Sequence, residues 1–213
     1  MSDISNLYEA VLTGNTKAAV AITKQALEAG ADPLEIINGQ MVPAMDEAGR
    51  RFECEEYFVP ELLLAARAMK ASLELIRPLL AERGAEPAGR VVIGTVKGDL
   101  HDIGKNLVAS MLEGGGFEVI DLGADVAPDK FVQVIKDRNP DLVCLSALLT
   151  VTMPSMKTTI EALKTAGVRD RVKVLVGGAP VTEQWAQEIG ADGYGASAAA
   201  AVPLARRMMG KVA

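Results

Sequence analysis

The chain has 213 residues, of which 49% are hydrophobic and 23% charged, a composition typical of a folded protein with one large domain or two small ones. Its formal net charge is -6, and the excess lies in residues 1–88, which hold 14 acidic and 8 basic side chains, against 14 of each in the remainder. This balance argues against a nucleic-acid-binding head, because phosphate contacts require a basic face.

Helices joined by short turns are predicted for the first part of the chain. Apolar residues recur at helical spacing from Ile4 to Leu12 and predict an amphipathic helix that ends at Gly14. A second helix is expected over residues 16–29, before Gly30. With the two helices that follow, this pattern is typical of a small four-helix bundle.

Prolines set the limits of the third and fourth helices. Asp32 followed by Pro33 predicts an N-cap and a first helical residue, and Pro43 is expected to kink or split the helix that begins there. Pro60 opens the fourth helix. One apolar stripe runs along it, formed by Leu62, Ala66, Met69, Leu73, Ile76 and Leu80.

The segment ERGAEPAGR, residues 82–90, interrupts the helical pattern with glycine, proline and charge, and it predicts a linker or hinge. We therefore expect a helical domain over residues 1–88 and a second domain over residues 90–213. In the second domain, short β-rich runs alternate with helical stretches. The strands are expected to begin near residues 91, 117, 141, 172 and 191, and the helices to span 103–115, 128–138, 152–166, 182–189 and 197–209. This alternation predicts a Rossmann-like or flavodoxin-like five-stranded parallel sheet with helices on both faces.

The only histidine of the chain, His101, lies in the segment GDLHDIGKN between the first predicted strand and the helix that follows it. This is the carboxyl edge of the sheet, where open α/β folds bind ligands. Asp99 can accept the proton of one ring nitrogen, which leaves the other as a Lewis base, and Gly104 permits close approach. Zinc is not expected, because no second histidine or cysteine stands at ligand spacing. Taken alone, the segment also fits a solvated loop histidine.

Two further clusters follow strands of the same sheet. Ser146-Ala147-Leu148 comes at the end of the third predicted strand, and Gly177-Gly178 at the end of the fourth. Parallel strands end at one edge, so the clusters can line one cleft with His101. The ordered set Asp-x-His-x-x-Gly, Ser-x-Leu and Gly-Gly resembles the signature of cobalamin-binding domains. Residues 41–69 are similar to the helical cap that precedes this domain in corrinoid methyl-carrier proteins, so the resemblance covers essentially the whole chain.

The resemblance implies a cofactor, cobalamin or a related corrinoid in its methylcobalamin form. His101 would be the cobalt ligand in place of the cofactor's own nucleotide base, the base-off/His-on mode. Asp99 would bond to the imidazole, and Ser146 would extend the relay. When cobalt sheds this ligand in the Co(I) state, the freed imidazole can take up a proton. The implied cofactor-binding residues are Asp99, Leu100, His101, Asp102, Ile103, Gly104, Ser146, Leu148, Thr150, Gly177, Gly178 and Ala179.

The implied function is to carry a methyl group on cobalt between a substrate-specific methyltransferase and an acceptor methyltransferase, without catalysis by the chain alone. Methanol, methylamines, quaternary amines or methoxylated aromatics are candidate donors, and tetrahydrofolate or a thiol coenzyme candidate acceptors. A reductive activator would rescue oxidised cobalt. The alternatives are a cobalamin subunit of a radical mutase, a gene regulator or sensor, and a corrinoid store. The cap is expected to cover the upper corrin face with Tyr57, Phe58, Leu62 and Leu63.

The remaining signals concern location, thiols and one departure from the family pattern. The N-terminus resembles no signal peptide and no apolar run reaches membrane-spanning length, so a cytoplasmic protein without membrane partners is expected. Cys54 and Cys144 are expected to be reduced thiols, with Cys144 buried. Tyr194-Gly195-Ala196-Ser197 stands where many relatives have an aspartate, so a contact from this segment to the cofactor tail is in doubt.

Overall fold

The structure, a computed structural model, describes residues 5–82 and 87–210. These residues fall into two compact units. The first runs to Pro87 and also takes in Ser110–Gly116, and the second comprises Ala88–Ala109 and the chain from Phe117 onward. Ile4 and residues 83–86, the middle of the predicted linker, lie outside the described residues.

The first unit is built of helices, as the sequence predicts. They are α1 (Ser5–Leu12), α2 (Thr16–Glu28), α3 (Pro33–Ile36), α4 (Val42–Glu53) and α5 (Val59–Glu82). The predicted stripe along α5 packs inward, because Leu62, Met69 and Ile76 are fully buried. None of the described helices is long and apolar enough to cross a membrane.

The third predicted helix is divided by one π-helical segment, Ile37–Met41, between α3 and α4. The N–H of Val42 donates to the carbonyl of Ile37, five residues back. Pro43 follows at once and has no N–H to donate, so the helix restarts with proline in its first turn. The predicted interruption at Pro43 is confirmed, and it takes the form of a π turn.

The second unit contains a parallel sheet whose strand order is β2-β1-β3-β4-β5. The strands are β1 (Arg90–Thr95), β2 (Glu118–Asp121), β3 (Leu142–Ser146), β4 (Lys173–Gly177) and β5 (Gly193–Gly195). The helices that follow the strands in the chain are α6 (Ile103–Gly114), α7 (Pro128–Arg138), α8 (Pro154–Thr165), α9 (Glu183–Ile189) and α10 (Ala198–Met208), and the part of α6 from Ser110 onward is grouped with the first unit. In this order β2 lies on one side of β1, and β3, β4 and β5 follow on the other side. This is the flavodoxin-like arrangement that the sequence predicts.

Both faces of the sheet are buried, as a parallel sheet between two helical layers requires. Val92, Val143 and Val174 are aligned on adjacent strands and join the apolar core beneath α7, α8 and α9. Ile93, Cys144 and Leu175, which follow them along the strands, point to the opposite face and are also buried. The predicted burial of Cys144 is confirmed, and burial raises the pKa of its thiol to about 12.

Strand register places two predicted site residues, Ser146 and Gly177, in one row of the sheet. Thr95 of β1 is aligned with Ser146 of β3, Ser146 with Gly177 of β4, and Gly177 with Gly195 of β5. This row is the last of the sheet at its carboxyl edge. The loops that leave it therefore begin side by side, and side chains distant in sequence meet there.

Candidate functional site

The centre of the site is Asp99, a fully buried carboxylate in the loop after β1. Its Oδ1 accepts from His101 twice, from the backbone N–H at 3.0 Å and from ring Nδ1 at 2.7 Å. The backbone of Asp99 is fixed as well, since its N–H donates to the Val96 carbonyl and its carbonyl accepts from the N–H of Asp125. The carboxylate is thus anchored on the side that faces the imidazole.

The other carboxylate oxygen is held by the loop between β3 and α8. Oδ2 of Asp99 accepts from the backbone N–H of Leu148 at 2.8 Å and of Leu149 at 3.3 Å. It also accepts from the hydroxyl of Thr152 at 2.6 Å. One buried carboxylate therefore joins two loops that begin about fifty residues apart in the chain.

These hydrogen bonds decide the charge of Asp99. Burial alone raises the pKa of a carboxyl group, since a low-dielectric interior disfavours the ion. Here donation from Thr152 Oγ1 and from the backbone N–H groups of His101 and Leu148 outweighs burial, and the pKa of Asp99 lies well below its usual range. The group is a carboxylate at neutral pH, fixed as an acceptor for the imidazole.

His101 is the exposed partner of this buried charge. Half of its side-chain surface is accessible, and none of that of Asp99. Its backbone carbonyl accepts from the hydroxyl of Thr95 at 3.0 Å, which ties the loop to the end of β1. Because the carboxylate accepts at Nδ1, the neutral ring carries its proton there, and Nε2 keeps its lone pair. This is the arrangement of a histidine prepared to bind a metal.

Exposed apolar residues stand next to His101 in the chain and in the loop that bonds to Asp99. Leu100 and Ile103 flank it in the loop, 77% and 80% exposed. Leu148, Leu149 and Val151 lie in the loop that holds Asp99, and Val151 is 80% exposed. Large apolar residues concentrated on two adjacent loops mark a binding surface for a ligand with an apolar face.

The three predicted glycines differ in what a side chain at each position would contact. A Cβ on Gly178, whose φ is +129°, would lie 1.9 Å from the carbonyl oxygen of Ala147, so close backbone packing requires glycine there. A Cβ on Gly177 would approach the carbonyl oxygen of Gly195 to 3.0 Å. In contrast, a Cβ on Gly104 would meet no atom within 4 Å. Packing explains the glycine pair, whereas the bare backbone at Gly104 faces open space beside His101.

The other predicted residues lie at the same edge of the sheet. Asp102 is exposed, and its carbonyl accepts from the N–H of Asn106 as α6 begins. Thr150 and Ala179 are exposed in the loops after β3 and β4. Ser146 is half-buried at the end of β3.

The prediction that Ser146 extends the hydrogen-bonded relay from His101 and Asp99 is wrong in its choice of hydroxyl. Among the described residues, the side-chain hydroxyl that bonds to Asp99 belongs to Thr152. The sequence pattern predicts Thr150 and not Thr152, because a hydroxyl in the turn before a helix follows no periodic pattern. Thr95 was missed for a similar reason, since its hydroxyl bonds to a backbone carbonyl that only the fold brings near.

Asp125, in the loop after β2, was also missed. Its Oδ1 accepts from the backbone N–H of Gly98 at 2.8 Å, and its carboxylate pairs with Lys97 at 3.0 Å. These contacts, the Gly98 bond first, lower the pKa of Asp125. Gly98 has a φ of +86°, which a glycine adopts without strain, so this loop turns sharply just before Asp99.

The four residues expected to cover a ligand from the cap differ in exposure. Leu62 is fully buried and belongs to the core, so it forms no part of an exposed covering surface. Tyr57 is half-buried, with its hydroxyl 3.3 Å from the carbonyl of Leu12. Phe58 and Leu63 are exposed, at 65% and 42%.

Comparison with known proteins agrees with this geometry. A family model described as a B12 binding domain matches residues 89–202, and a second model with the same description matches residues 4–77. Trimethylamine corrinoid protein 2 of Methanosarcina mazei is 46% identical over 93% of this chain and 92% of its own length. Dimethylamine corrinoid protein 1 of Methanosarcina acetivorans is 42% identical over 97% of each chain.

Solved structures agree over both units. A cobalamin-binding protein from Desulfitobacterium hafniense superimposes with a TM-score of 0.80 at 35% identity, covering 98% of this chain and 99% of that one. A chain of the methanol:cobalamin methyltransferase complex of Methanosarcina barkeri matches with a TM-score of 0.85 at 28% identity, covering 97% of this chain and 79% of that one. The resemblance inferred from the three sequence clusters is confirmed.

Proposed function

The chain belongs to the family of corrinoid proteins with B12-binding domains, and from this premise we propose that it carries a methyl group on a bound corrinoid between two methyltransferases. The observation that carries the proposal is the pair formed by the buried carboxylate of Asp99 and the half-exposed imidazole of His101, 2.7 Å apart. Two apolar loops and the open backbone at Gly104 flank this pair.

The residues fit a corrinoid bound base-off, with His101 as its axial ligand. Asp99 engages Nδ1 of His101, so Nε2 is the ring nitrogen left to bind a metal. Leu100, Ile103 and Val151 offer apolar contacts to a flat macrocycle. The open space at Gly104 suits the displaced nucleotide tail. When bound, the corrinoid supplies the cobalt that accepts and releases the methyl group.

Asp99 also fixes the orientation of the imidazole. A carboxylate 2.7 Å from Nδ1 holds the ring and leaves Nε2 as the nitrogen that would bind cobalt. Holding this ligand in place is the contribution of the chain, and the corrinoid would supply the methyl chemistry.

The named relatives support the choice of partner enzymes. Proteins named trimethylamine and dimethylamine corrinoid proteins share more than two fifths of their residues with this chain over almost its whole length. We take a methylamine methyltransferase as the donor enzyme, with trimethylamine as the first substrate to test. The fold match to a chain of a methanol:cobalamin methyltransferase complex supports docking onto an enzyme of that class. A second methyltransferase, acting on tetrahydrofolate or a thiol coenzyme, and a reductive activator complete the system.

Transfer of a methyl group into the protein-bound corrinoid tests the proposal. The full chain is loaded with cobalamin, reduced, and mixed with trimethylamine methyltransferase and isotopically labelled trimethylamine. We expect one methyl group per bound corrinoid, and its loss again when an acceptor methyltransferase and acceptor are added. His101→Ala is the matched variant, in which uptake should fall by more than the roughly 10- to 100-fold that loss of a hydrogen-bonding partner of a metal ligand costs.

Each outcome separates the candidate functions. A protein that binds corrinoid but takes no methyl group from trimethylamine, dimethylamine, monomethylamine or methanol enzymes would be a store or a sensor. Methyl uptake from a different donor enzyme would keep the carrier function and correct the donor. Failure of the wild-type chain to bind corrinoid would contradict the proposal as a whole.

A further inference from the structure

We propose that the side chains of Asn106 and Asp121 form a binding subsite for one carboxamide arm on the rim of the corrinoid. The inference rests on the proposed function and deepens it, because it names a part of the ligand that these two residues would hold. Asn106 lies in the first turn of α6, the helix that follows the His101 loop. Asp121 is the last residue of β2, which pairs with β1 on the side away from β3.

A buried lysine fixes both of these side chains. The side chain of Lys105 is 1% exposed, and its Nζ lies 2.6 Å from Oδ1 of Asn106 and 2.5 Å from Oδ2 of Asp121. A lysine ammonium carries three donors and no acceptor, so the atom of the Asn106 amide that faces it is the oxygen. A buried charge is costly without such partners. One cation thus sets the orientation of two polar side chains, one from a helix and one from a strand.

This orientation leaves both donors and acceptors for a ligand. Asn106 is exposed, and its amide nitrogen carries two N–H donors, for which no residue in the described part of the chain is the acceptor. The side chain of Asp121 is 39% exposed, and its Oδ1 accepts from the backbone N–H of Gly123 at 2.8 Å. A carboxylate has about four acceptor sites, so Asp121 can accept from a ligand as well as from Gly123 and Lys105.

An amide donor beside a carboxylate acceptor is the complement of a primary carboxamide. The carbonyl oxygen of a carboxamide accepts from an amide N–H, and its NH2 group donates to a carboxylate. Corrinoids carry acetamide and propionamide arms around the ring, so such groups surround a metal bound at His101. Paired strands lie about 5 Å apart, so the end of β2 is close to the loop that begins where β1 ends. A carboxylate arm would instead meet the negative charge of Asp121, and the subsite would reject it.

Corrinoids with one altered arm test the subsite. The probes are cobalamin and its monocarboxylate derivatives, in each of which one arm ends in a carboxylate in place of the carboxamide. Absorption titration measures their affinities for the full wild-type chain. We expect one derivative to bind at least about tenfold more weakly than the others, because a site built for an amide rejects a group that repels its acceptor. Equal affinities across the series would overturn the proposal.

Variants of the chain assign that selectivity to the pair. Asn106→Ala removes the donor and keeps the ion pair of Lys105, and alanine favours the helix, so this variant should fold and bind intact cobalamin about tenfold more weakly. Gln133→Ala is the matched control, since it removes an exposed amide from α7, and it should bind cobalamin like the wild type. Lys105→Met combined with Asp121→Asn replaces the charged pair by neutral side chains. In this double variant the weak derivative should bind within about threefold of the others, because the repelling charge is gone.

The outcomes separate the subsite from the proposed function. Wild-type affinity for cobalamin in Asn106→Ala, as expected if the pair only joined α6 to β2, would overturn the subsite and leave the carrier function intact. Selectivity that persisted in the double variant would do the same. If the double variant did not fold, Asn106→Ala would decide, because the gap between cobalamin and the weak derivative should narrow when the intact arm loses its donor, and an unchanged gap would refute the subsite. A wild type that bound no corrinoid would end the proposed function and the subsite together.

Discussion

The two edges of the same sheet handle charge in opposite ways. At the amino edge, Arg90 pairs with Glu118 at 2.9 Å and Arg169 with Asp192 at 2.7 Å, and each of these side chains keeps some contact with solvent. At the carboxyl edge, the carboxylate of Asp99 is wholly buried. Ion pairs near water contribute little individually, whereas a buried charge requires a complete set of partners. The edge proposed to bind the ligand is thus the one at which the fold buries a carboxylate and supplies its hydrogen-bond donors.

Removal of the Asp99 carboxylate should have the largest effect on stability. Asp99→Ala leaves the N–H groups of His101 and Leu148 without their acceptor and removes one of the two acceptors of the Thr152 hydroxyl, and we expect a loss of about 4 kcal/mol in the free energy of unfolding. Urea unfolding followed by circular dichroism measures it. Asp170→Ala, at an exposed aspartate outside the site, is the control and should change stability by less than about 0.5 kcal/mol.

Gly178→Ala is the next largest change. Its Cβ would overlap the carbonyl oxygen of Ala147, so the backbone must move, and the free energy of unfolding should fall by about 3 kcal/mol. Gly123→Ala separates overlap from backbone strain, because Gly123 has a φ of +83° and no atom near its Cβ position. That control should cost only about 1 kcal/mol, the penalty of a left-handed residue. Equal losses in both variants would refute the steric argument.

Acid should act on the carboxyl edge through Asp99. Its pKa is lower in the folded protein than in the unfolded chain, so its contribution to stability is complete above the ordinary pKa of aspartate. The contribution is lost as the pH falls from that value toward the lower folded pKa. A series of urea transitions at decreasing pH measures this slope. Asp99→Ala should flatten it, and an unchanged slope in that variant would assign the acid sensitivity to other carboxylates, such as Asp125.

Gly104→Ala should affect binding and not folding. No atom lies within 4 Å of its Cβ position and the residue is helical, so alanine should leave stability unchanged or raise it by up to about 1 kcal/mol. The added methyl group would meet the corrinoid, and affinity for cobalamin should fall. Parallel thermal melts and cobalamin titrations measure the two quantities. Wild-type affinity in this variant would remove Gly104 from the binding surface.

Arg90→Ala should have the smallest effect. The pair with Glu118 is partly exposed on both sides, so its loss should cost about 0.5 kcal/mol, and high salt should reduce the difference. Unfolding at low and high ionic strength gives both values. A loss comparable to that of Asp99→Ala would mean that the two edges do not differ in the way described.

Much of the architecture was predictable from periodicity. The alternation of apolar runs with helical segments predicted β1 to β5 and the helices between them with small errors at the ends, because buried parallel strands and amphipathic helices leave clear patterns. Pro43 indicated a break in the third helix, but it did not indicate that the break would take the form of a π turn at Ile37–Met41. The apolar stripe of the fourth helix already predicts that Leu62 is buried, which conflicts with a place for this residue on an exposed covering surface.

The site was predictable in part. Asp99 and His101 stand two residues apart, so their hydrogen bond is a local feature that the motif already contains. The partners on the far oxygen of Asp99 come from a loop about fifty residues later, and only the parallel register of β1 and β3 brings that loop alongside. Thr152 follows from this register and from the turn before α8, and neither has a signature in composition or spacing.

Paramagnetic resonance of the Co(II) form decides whether Nε2 of His101 binds cobalt. The chain holds one histidine, so growth with 15N-labelled histidine labels a single imidazole. We expect a superhyperfine splitting from one axial nitrogen that changes from the 14N to the 15N pattern on labelling. A splitting that keeps its 14N pattern would show the cofactor's own base on cobalt and would refute binding by His101.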